Sequence, residues 1–242
     1  MAEWRYAVVG RGRWARRIRE VLEGERRRVA CIEEARRPAA EFVNALRASG
    51  AQAAWLCVAP GGHVAPMMRA AIEAGMHVIA EKPWLCSAAE TEALRQAARA
   101  RGVRTGVHFE YCLLNGVEAW RERFEGMRGL RFGGVFRVSR ADRQGIPALE
   151  NLGSHLAAIR RYAAPEAEME ELSCAYEGPD ERRVWIEDES LDFLENREPI
   201  IQKFVHWFED GRDFPFDIEF GRRVAEDLIM WRGRQTAASL QP

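Results

Sequence analysis

Basic side chains in this protein are almost all arginine; lysine occurs only at Lys82 and Lys203. Lys82 stands in AEKPW, residues 80–84, where the apolar run GMHVIA stops. Only the compact ammonium readily gives up its proton when desolvated, so a lysine at the end of a buried segment is a candidate for proton exchange near neutral pH. A second chemical grouping lies near the start: Gly10-Arg11-Gly12-Arg13-Trp14-Ala15, a G-x-G-x-x-A run directly after the apolar residues 6–9. There Gly10 permits a tight turn, Gly12 lets backbone approach a pyrophosphate, and Ala15 lets a helix pack closely on the preceding strand. The freed N–H groups and the helix dipole then face the phosphates. Glu33 ends the next apolar run at the distance where such sites place the acid that accepts the ribose hydroxyls, and it would repel a 2′-phosphate, favouring NAD. Glu34 is a register alternative, and Arg36 or Arg37 can pair with that phosphate, which keeps NADP open.

These groups need elements to hold them. The spacing predicts strands over 6–9, 29–32, 53–59, 77–80 and 103–109, alternating with helices over 13–22, 39–49, 64–74 and 88–101. The last of these helices opens on Ser87 with Glu90 three residues on, a capping box, and Gly75 closes the one before it. Such alternation predicts an α/β fold with a doubly wound parallel sheet, whose ligands sit beyond the carboxyl ends of the strands. Pro60, Glu81, Lys82 and His108 all fall at or just past such ends, with Glu110 close behind. His108 and Glu110 are therefore candidates to touch substrate. From there the pattern changes to strands over 130–139, 170–176 and 182–186 with helices over 152–162, 200–209 and 218–231. This predicts a second, smaller α+β domain on a short open sheet. The domains are set at 1–113 and 114–242.

Composition narrows the function classes. The net charge is −1 over 242 residues, which does not indicate a nucleic-acid or anionic-membrane surface. No apolar run is long enough to span a bilayer, and the beginning has no secretory signal pattern. Five cysteines without a C-x-x-C pair suggest neither a disulfide framework nor a metal site. The expectation is a cytoplasmic protein acting on a small molecule.

GRGRWA, WLCVAPGGH and AGMHVIAEKP together resemble the Gfo/Idh/MocA oxidoreductases, and the resemblance resumes in NLGSHL and in EPIIQKFVHWFEDGRDFPFD. It implies an NAD(P)-dependent oxidoreductase that moves a hydride between nicotinamide and a hydroxyl or keto group of a sugar, cyclitol or related small molecule. It places Lys82 beside the nicotinamide, hydrogen-bonded to the reacting oxygen, with Glu81 anchoring the turn and Pro83 stiffening it. The family's D-x-G-x-H helix maps its catalytic histidine to His155 and its aspartate to Asn151, which retains hydrogen bonding but not charge. A second aspartate, three residues after the histidine, is Ala158 here. His63 resembles a position near the cofactor loop, where helix capping is the competing explanation. For His155 the competitor is a core or capping histidine; for Trp14 and Trp84 it is packing. His77 is expected simply to enter a strand, and His206 to serve the core or a subunit contact. The second domain is shorter than the family's usual one, so a homodimer is expected to cover its open sheet. Two alternatives stand beside the dehydrogenase: an imine reductase, for which a missing carboxylate matters less, and a non-catalytic dinucleotide-binding sensor or partner subunit.

Overall fold

The computed structural model describes residues 4–33, 39–139, 145–194 and 198–238. They form two compact units, Met1–His108 with Ile201–Arg222, and Phe109–Ile200 with Arg223–Pro242. The first contains β1 (Arg5–Val9), α1 (Arg13–Gly24), β2 (Arg28–Ile32), α2 (Ala39–Ala48), β3 (Ala53–Leu56), α3 (Val64–Glu73), β4 (His77–Glu81), α4 (Ala88–Arg101) and β5 (Thr105–His108). All five strands pair in parallel, in the order β2-β1-β3-β4-β5. Helices on both faces explain why β1 and β3 read as unbroken apolar runs: Tyr6, Ala7, Val9 and all of β3 are fully buried, as parallel strands are. Strand order reverses between β1 and β3, the place where such sheets open a ligand crevice. β3 and β5 are shorter than their apolar runs, stopping at Leu56 and His108. The predicted capping box is present, with Glu90 N–H donating to Ser87 Oγ (3.2 Å) and Ser87 N–H to Glu90 Oε2 (2.8 Å).

The second unit begins with a 3-10 turn (Glu110–Leu113) and continues through α5 (Asn115–Phe124), β6 (Arg131–Arg137), α6 (Ala148–Ala163), β7 (Glu168–Ala175), β8 (Glu181–Ile186) and β9 (Glu189–Asp192). The strands form one mixed sheet in the order β7-β6-β8-β9, with β6 parallel to β7 and antiparallel to β8. This is the short open sheet expected for the smaller domain. Along β6 the faces alternate: a Cβ on Gly134 would run into Leu156 of α6, and one on Gly133 into the Trp185 ring. The division between units falls at 108/109, whereas the sequence pattern sets it at 113/114, because the 3-10 turn packs on α6.

Two helices complete the chain, α7 (Ile200–Asp210) and α8 (Ile218–Ala238). Residues 201–222 belong to the first unit. Val107 N–H donates to the Phe216 carbonyl (2.8 Å), which satisfies one backbone donor on the open edge of β5. Phe204, Phe208 and Phe216 are fully buried there. On α7, Glu209 accepts the Tyr6 hydroxyl (3.0 Å) and two guanidinium bonds from Arg27 (2.8 and 2.7 Å). Burial and the Glu209 charge together hold the Tyr6 hydroxyl well above its ordinary pKa. In the second unit, Asp227 of α8 is buried and takes Arg161 bidentately at 2.7 and 2.6 Å. All five cysteines are free, and Cys31 is exposed on the edge strand β2 rather than in the core.

Candidate active site

The glycine loop follows from two different constraints. Gly10 sits at φ 124°, and a Cβ there would lie far inside contact with the Cys57 carbonyl oxygen and 3.1 Å from its carbon. No residue with a side chain fits without moving β3. Gly10 N–H donates to the Ile32 carbonyl (2.9 Å), pinning the turn between β1 and β2. Gly12 is the N-cap of α1 at φ −72° and ψ 172°, an ordinary extended conformation, and a Cβ there would meet nothing within 4 Å. Neither backbone nor packing therefore demands glycine at 12; what it preserves is open approach to the helix end. No side chain caps α1 and no acidic residue lies in its first turn. The end thus keeps its positive potential for an anion. This arrangement fits the pyrophosphate of a dinucleotide.

Around that loop, Ala15 is buried and packs the helix onto the sheet, while Arg11 and Arg13 are exposed. Trp14 is 37 % exposed. Glu33 lies exposed one residue past β2. Glu34, Arg36 and Arg37 fall outside the described residues. Pro60 is half-buried beyond β3. His63 occupies the N-cap position of α3 but makes no side-chain capping bond, so capping does not account for its imidazole. That ring rests instead beside Gly61.

The lysine turn follows β4. Glu81 and His108 are Cα partners across the β4–β5 ladder, so their side chains share a face. Glu81 Oε1 accepts the Trp55 indole N–H at 2.9 Å and lies 3.2 Å from His108 Nδ1. His108 is fully buried, its ring centroid 5.0 Å from Trp55, 4.7 Å from Phe204 and 5.9 Å from Trp14. Cys57 is close by; burial first, and then the Glu81 charge, push its thiol well above its ordinary pKa. Lys82 is half-buried and the Lys82–Pro83 bond is cis. Trp84 is packing: it is buried, donates to Thr91 Oγ1 (3.0 Å), and lies under α8 where a Cβ on Gly221 would touch it at 3.1 Å. The turn is therefore fastened before the lysine by Glu81 and after it by Trp84.

His77 enters β4 as expected. Its Nδ1 accepts the Arg104 N–H (2.8 Å), and burial, helped by the Arg104 charge, pulls its pKa down to about 4. His206 is exposed on α7 and pairs with Glu25 at 2.9 Å, within the first unit.

In the second unit, Asn151 and His155 lie one turn apart on α6. Asn151 Nδ2 donates to the Tyr176 hydroxyl (2.9 Å), which donates to the Ile146 carbonyl (2.9 Å). His155 is 5 % exposed, stacked on Phe136 at 5.1 Å and edge-on to Tyr111 at 4.7 Å. Glu110 is buried in the 3-10 turn. Tyr111 in turn accepts from Arg182 Nη1 (3.2 Å). Trp55 and Tyr176 are the partners that sequence reasoning missed. Trp55 sits in an apolar run with nothing to mark its indole N–H, and Tyr176 lies at the end of a strand that carries no motif. Among the described residues no cluster of His, Cys, Asp or Glu is placed to hold a metal, and no helix is long and apolar enough to cross a membrane.

Residues 4–109 match the model of an oxidoreductase family with an NAD-binding Rossmann fold, GFO_IDH_MocA. None of the curated proteins matches. Among solved structures, UDP-N-acetylglucosamine 3-dehydrogenase GnnA from Acidithiobacillus ferrooxidans is similar over 95% of this chain and 96% of its own, with a TM-score of 0.80 and 18% identity. The WlbA (WbpB) dehydrogenase from Thermus thermophilus, in complex with NAD and UDP-GlcNAcA, is similar over 95% and 94%, with a TM-score of 0.75 and 14% identity. An inositol dehydrogenase homolog from Azotobacter vinelandii, complexed with NADH and myo-inositol, is similar over 93% of each chain, with a TM-score of 0.68 and 16% identity. At these identities the likeness is one of fold.

Proposed function

We propose that this chain, whose residues 4–109 match the GFO_IDH_MocA model, is an NAD(P)-dependent dehydrogenase of that family acting on a CH–OH group of a sugar, cyclitol or related polyol. The observation that carries this is the lysine turn. The first unit puts one of its two lysines at the carboxyl end of β4, fastened on both sides, in the same sheet whose β1 end carries the open glycine loop. Dehydrogenases of sugars and inositol share the fold.

Bound NAD supplies the hydride acceptor. The α1 N-terminus and the backbone around Gly12 hold the pyrophosphate, while Gly10 keeps the loop against β3. Glu33 accepts the adenosine ribose hydroxyls and disfavours a 2′-phosphate, which supports NAD over NADP. Lys82 donates to the reacting oxygen and stabilises the charge it develops as its proton leaves; fixed donors aimed at a developing alkoxide are a large term in such catalysis. By its match to the family's helix motif, His155 is the residue proposed to take up that proton. Asn151, whose Nδ2 donates to the Tyr176 hydroxyl, stands where the family carries an aspartate; imine reduction is the second reading, since protonating nitrogen asks less of a base. The half-covered Trp185 face of the second sheet supports a homodimer, and the whole a cytoplasmic enzyme.

Screening polyols and nucleotide sugars with NAD, and imines with NADPH, separates the two. Lys82→Ala is expected to lower kcat on the order of 10²- to 10³-fold with NADH affinity kept within about twofold, because no phosphate contact is lost. Unchanged turnover in this variant refutes the assignment; dinucleotide binding without turnover on any substrate class points to a sensor.

A further inference from the structure

We infer that His108 and Glu81 form a buried positioning pair for Lys82, so that His108 acts through the lysine turn and not by touching substrate. The inference rests on the role given to Lys82 above. A carboxylate as sheltered as that of Glu81, whose side chain is 10% exposed beside a His108 side chain at 0%, is costly unless donors surround it. Two are supplied, Trp55 Nε1 at 2.9 Å and His108 Nδ1 at 3.2 Å, both to the same oxygen. A carboxylate only accepts, so the imidazole carries its proton on Nδ1.

The consequence is mechanical. Glu81 is the last residue of β4 and Lys82 the next, with consecutive Cα atoms about 3.8 Å apart. Whatever fixes Glu81 fixes the backbone from which Lys82 departs. The ladder fixes its main chain and the two donors fix its side chain. The imidazole is itself held by rings from three other elements, Trp55 of β3, Phe204 of α7 and Trp14 in the first turn of α1. Trp14 belongs to the glycine loop. One buried ring therefore ties the loop that receives the phosphates to the turn that presents the lysine. A hydrophobic residue of similar size would fill the space of His108 and keep these ring contacts in part, but would leave the Glu81 oxygen one donor short.

The scarcity of lysine makes this measurable on the unmodified protein. Labelling with [15N]lysine gives two backbone amide signals, Lys82 and Lys203, the second on α7 and serving as internal reference. Spectra are compared for wild type, His108→Leu, His108→Phe and His108→Asn, each with and without NADH, alongside thermal unfolding. Asparagine can offer a donor near the position of Nδ1, and leucine and phenylalanine cannot. The expected result is that His108→Leu and His108→Phe move or broaden the Lys82 signal by more than a linewidth, with Lys203 moving less, and that His108→Asn restores it. A Lys82 signal in His108→Leu or His108→Phe that coincides with wild type overturns the pairing, as does a His108→Asn protein that behaves like them. Should His108→Leu fail to fold, His108→Phe, which keeps an aromatic ring among Trp14, Trp55 and Phe204, decides together with His108→Asn. If NADH moves neither signal in wild type, the proposed function fails, while the spectra without nucleotide still decide the pairing.

Discussion

The two glycines of the loop are required for opposite reasons, and alanine at each separates fold from ligand. At Gly10 the backbone sits at φ 124° with the Cys57 carbonyl where a Cβ would go. Holding an L-residue in such a region costs about 1–3 kcal/mol, and relieving the clash against a buried strand end adds roughly 1–3 kcal/mol. Gly10→Ala should thus lose about 2–6 kcal/mol. With each kcal/mol worth about 2–4 °C in a chain of this size, Tm falls by roughly 4–24 °C. At Gly12 neither term exists, since φ is −72° and a Cβ meets nothing within 4 Å. Gly12→Ala should stay within about 0.5 kcal/mol of wild-type stability. Its methyl instead stands where a pyrophosphate must approach; losing one charge-assisted hydrogen bond there costs about 1.5–3 kcal/mol, or roughly 10- to 150-fold in Kd. Differential scanning calorimetry and NADH fluorescence titration on the three proteins make the test. If Gly10→Ala melts with wild type, or Gly12→Ala binds NADH as tightly as wild type does, the assignment of the loop is wrong.

Glu209 is the acceptor for Tyr6 and Arg27, so Glu209→Ala leaves a guanidinium facing a hydroxyl with no anion, at a cost of about 3–5 kcal/mol. The double variant Arg27→Met/Glu209→Leu should recover most of that loss in urea unfolding, and equal instability of the two would refute the account. His77 has a folded pKa near 4, below its ordinary 6.5, so the unfolded chain binds the proton first. Stability is therefore complete above pH 6.5 and is lost as pH falls towards 4. His77→Asn, which can still accept from Arg104 but does not titrate, should show a shallower fall in Tm across that window; parallel curves would remove His77 as the cause.

Much of the first unit was legible because each of its devices is local. Apolar runs ended by Pro60-Gly61-Gly62 or Glu81-Lys82-Pro83 mark buried parallel strands, and Ser87 with Glu90 marks a helix start. The glycine loop and the lysine turn were legible for the same reason. What escaped depends on partners distant in sequence. In GVHFEY nothing distinguishes a histidine facing a crevice from one walled in by Trp14, Trp55 and Phe204. The apolar stripe of α7 announces burial but not that its host is the sheet of the first unit. β9 reads ESLD, with no β-branched residue, and exists by pairing with β8. α5 places Val117, Trp120 and Phe124 on one buried stripe, in the interval between 109 and 130 where the sequence pattern predicts no element.

The return of residues 201–222 has a consequence for how the molecule is made. During synthesis the first five strands leave the ribosome long before Phe216 and Glu209, so β5 keeps a bare edge and Tyr6 and Arg27 remain without their anion. Native closure must wait for nearly the entire chain, which makes folding slow in the manner of structures rich in distant contacts. A gene fragment stopping at residue 108 should accordingly emerge as aggregate, its open strand free to pair with copies of itself.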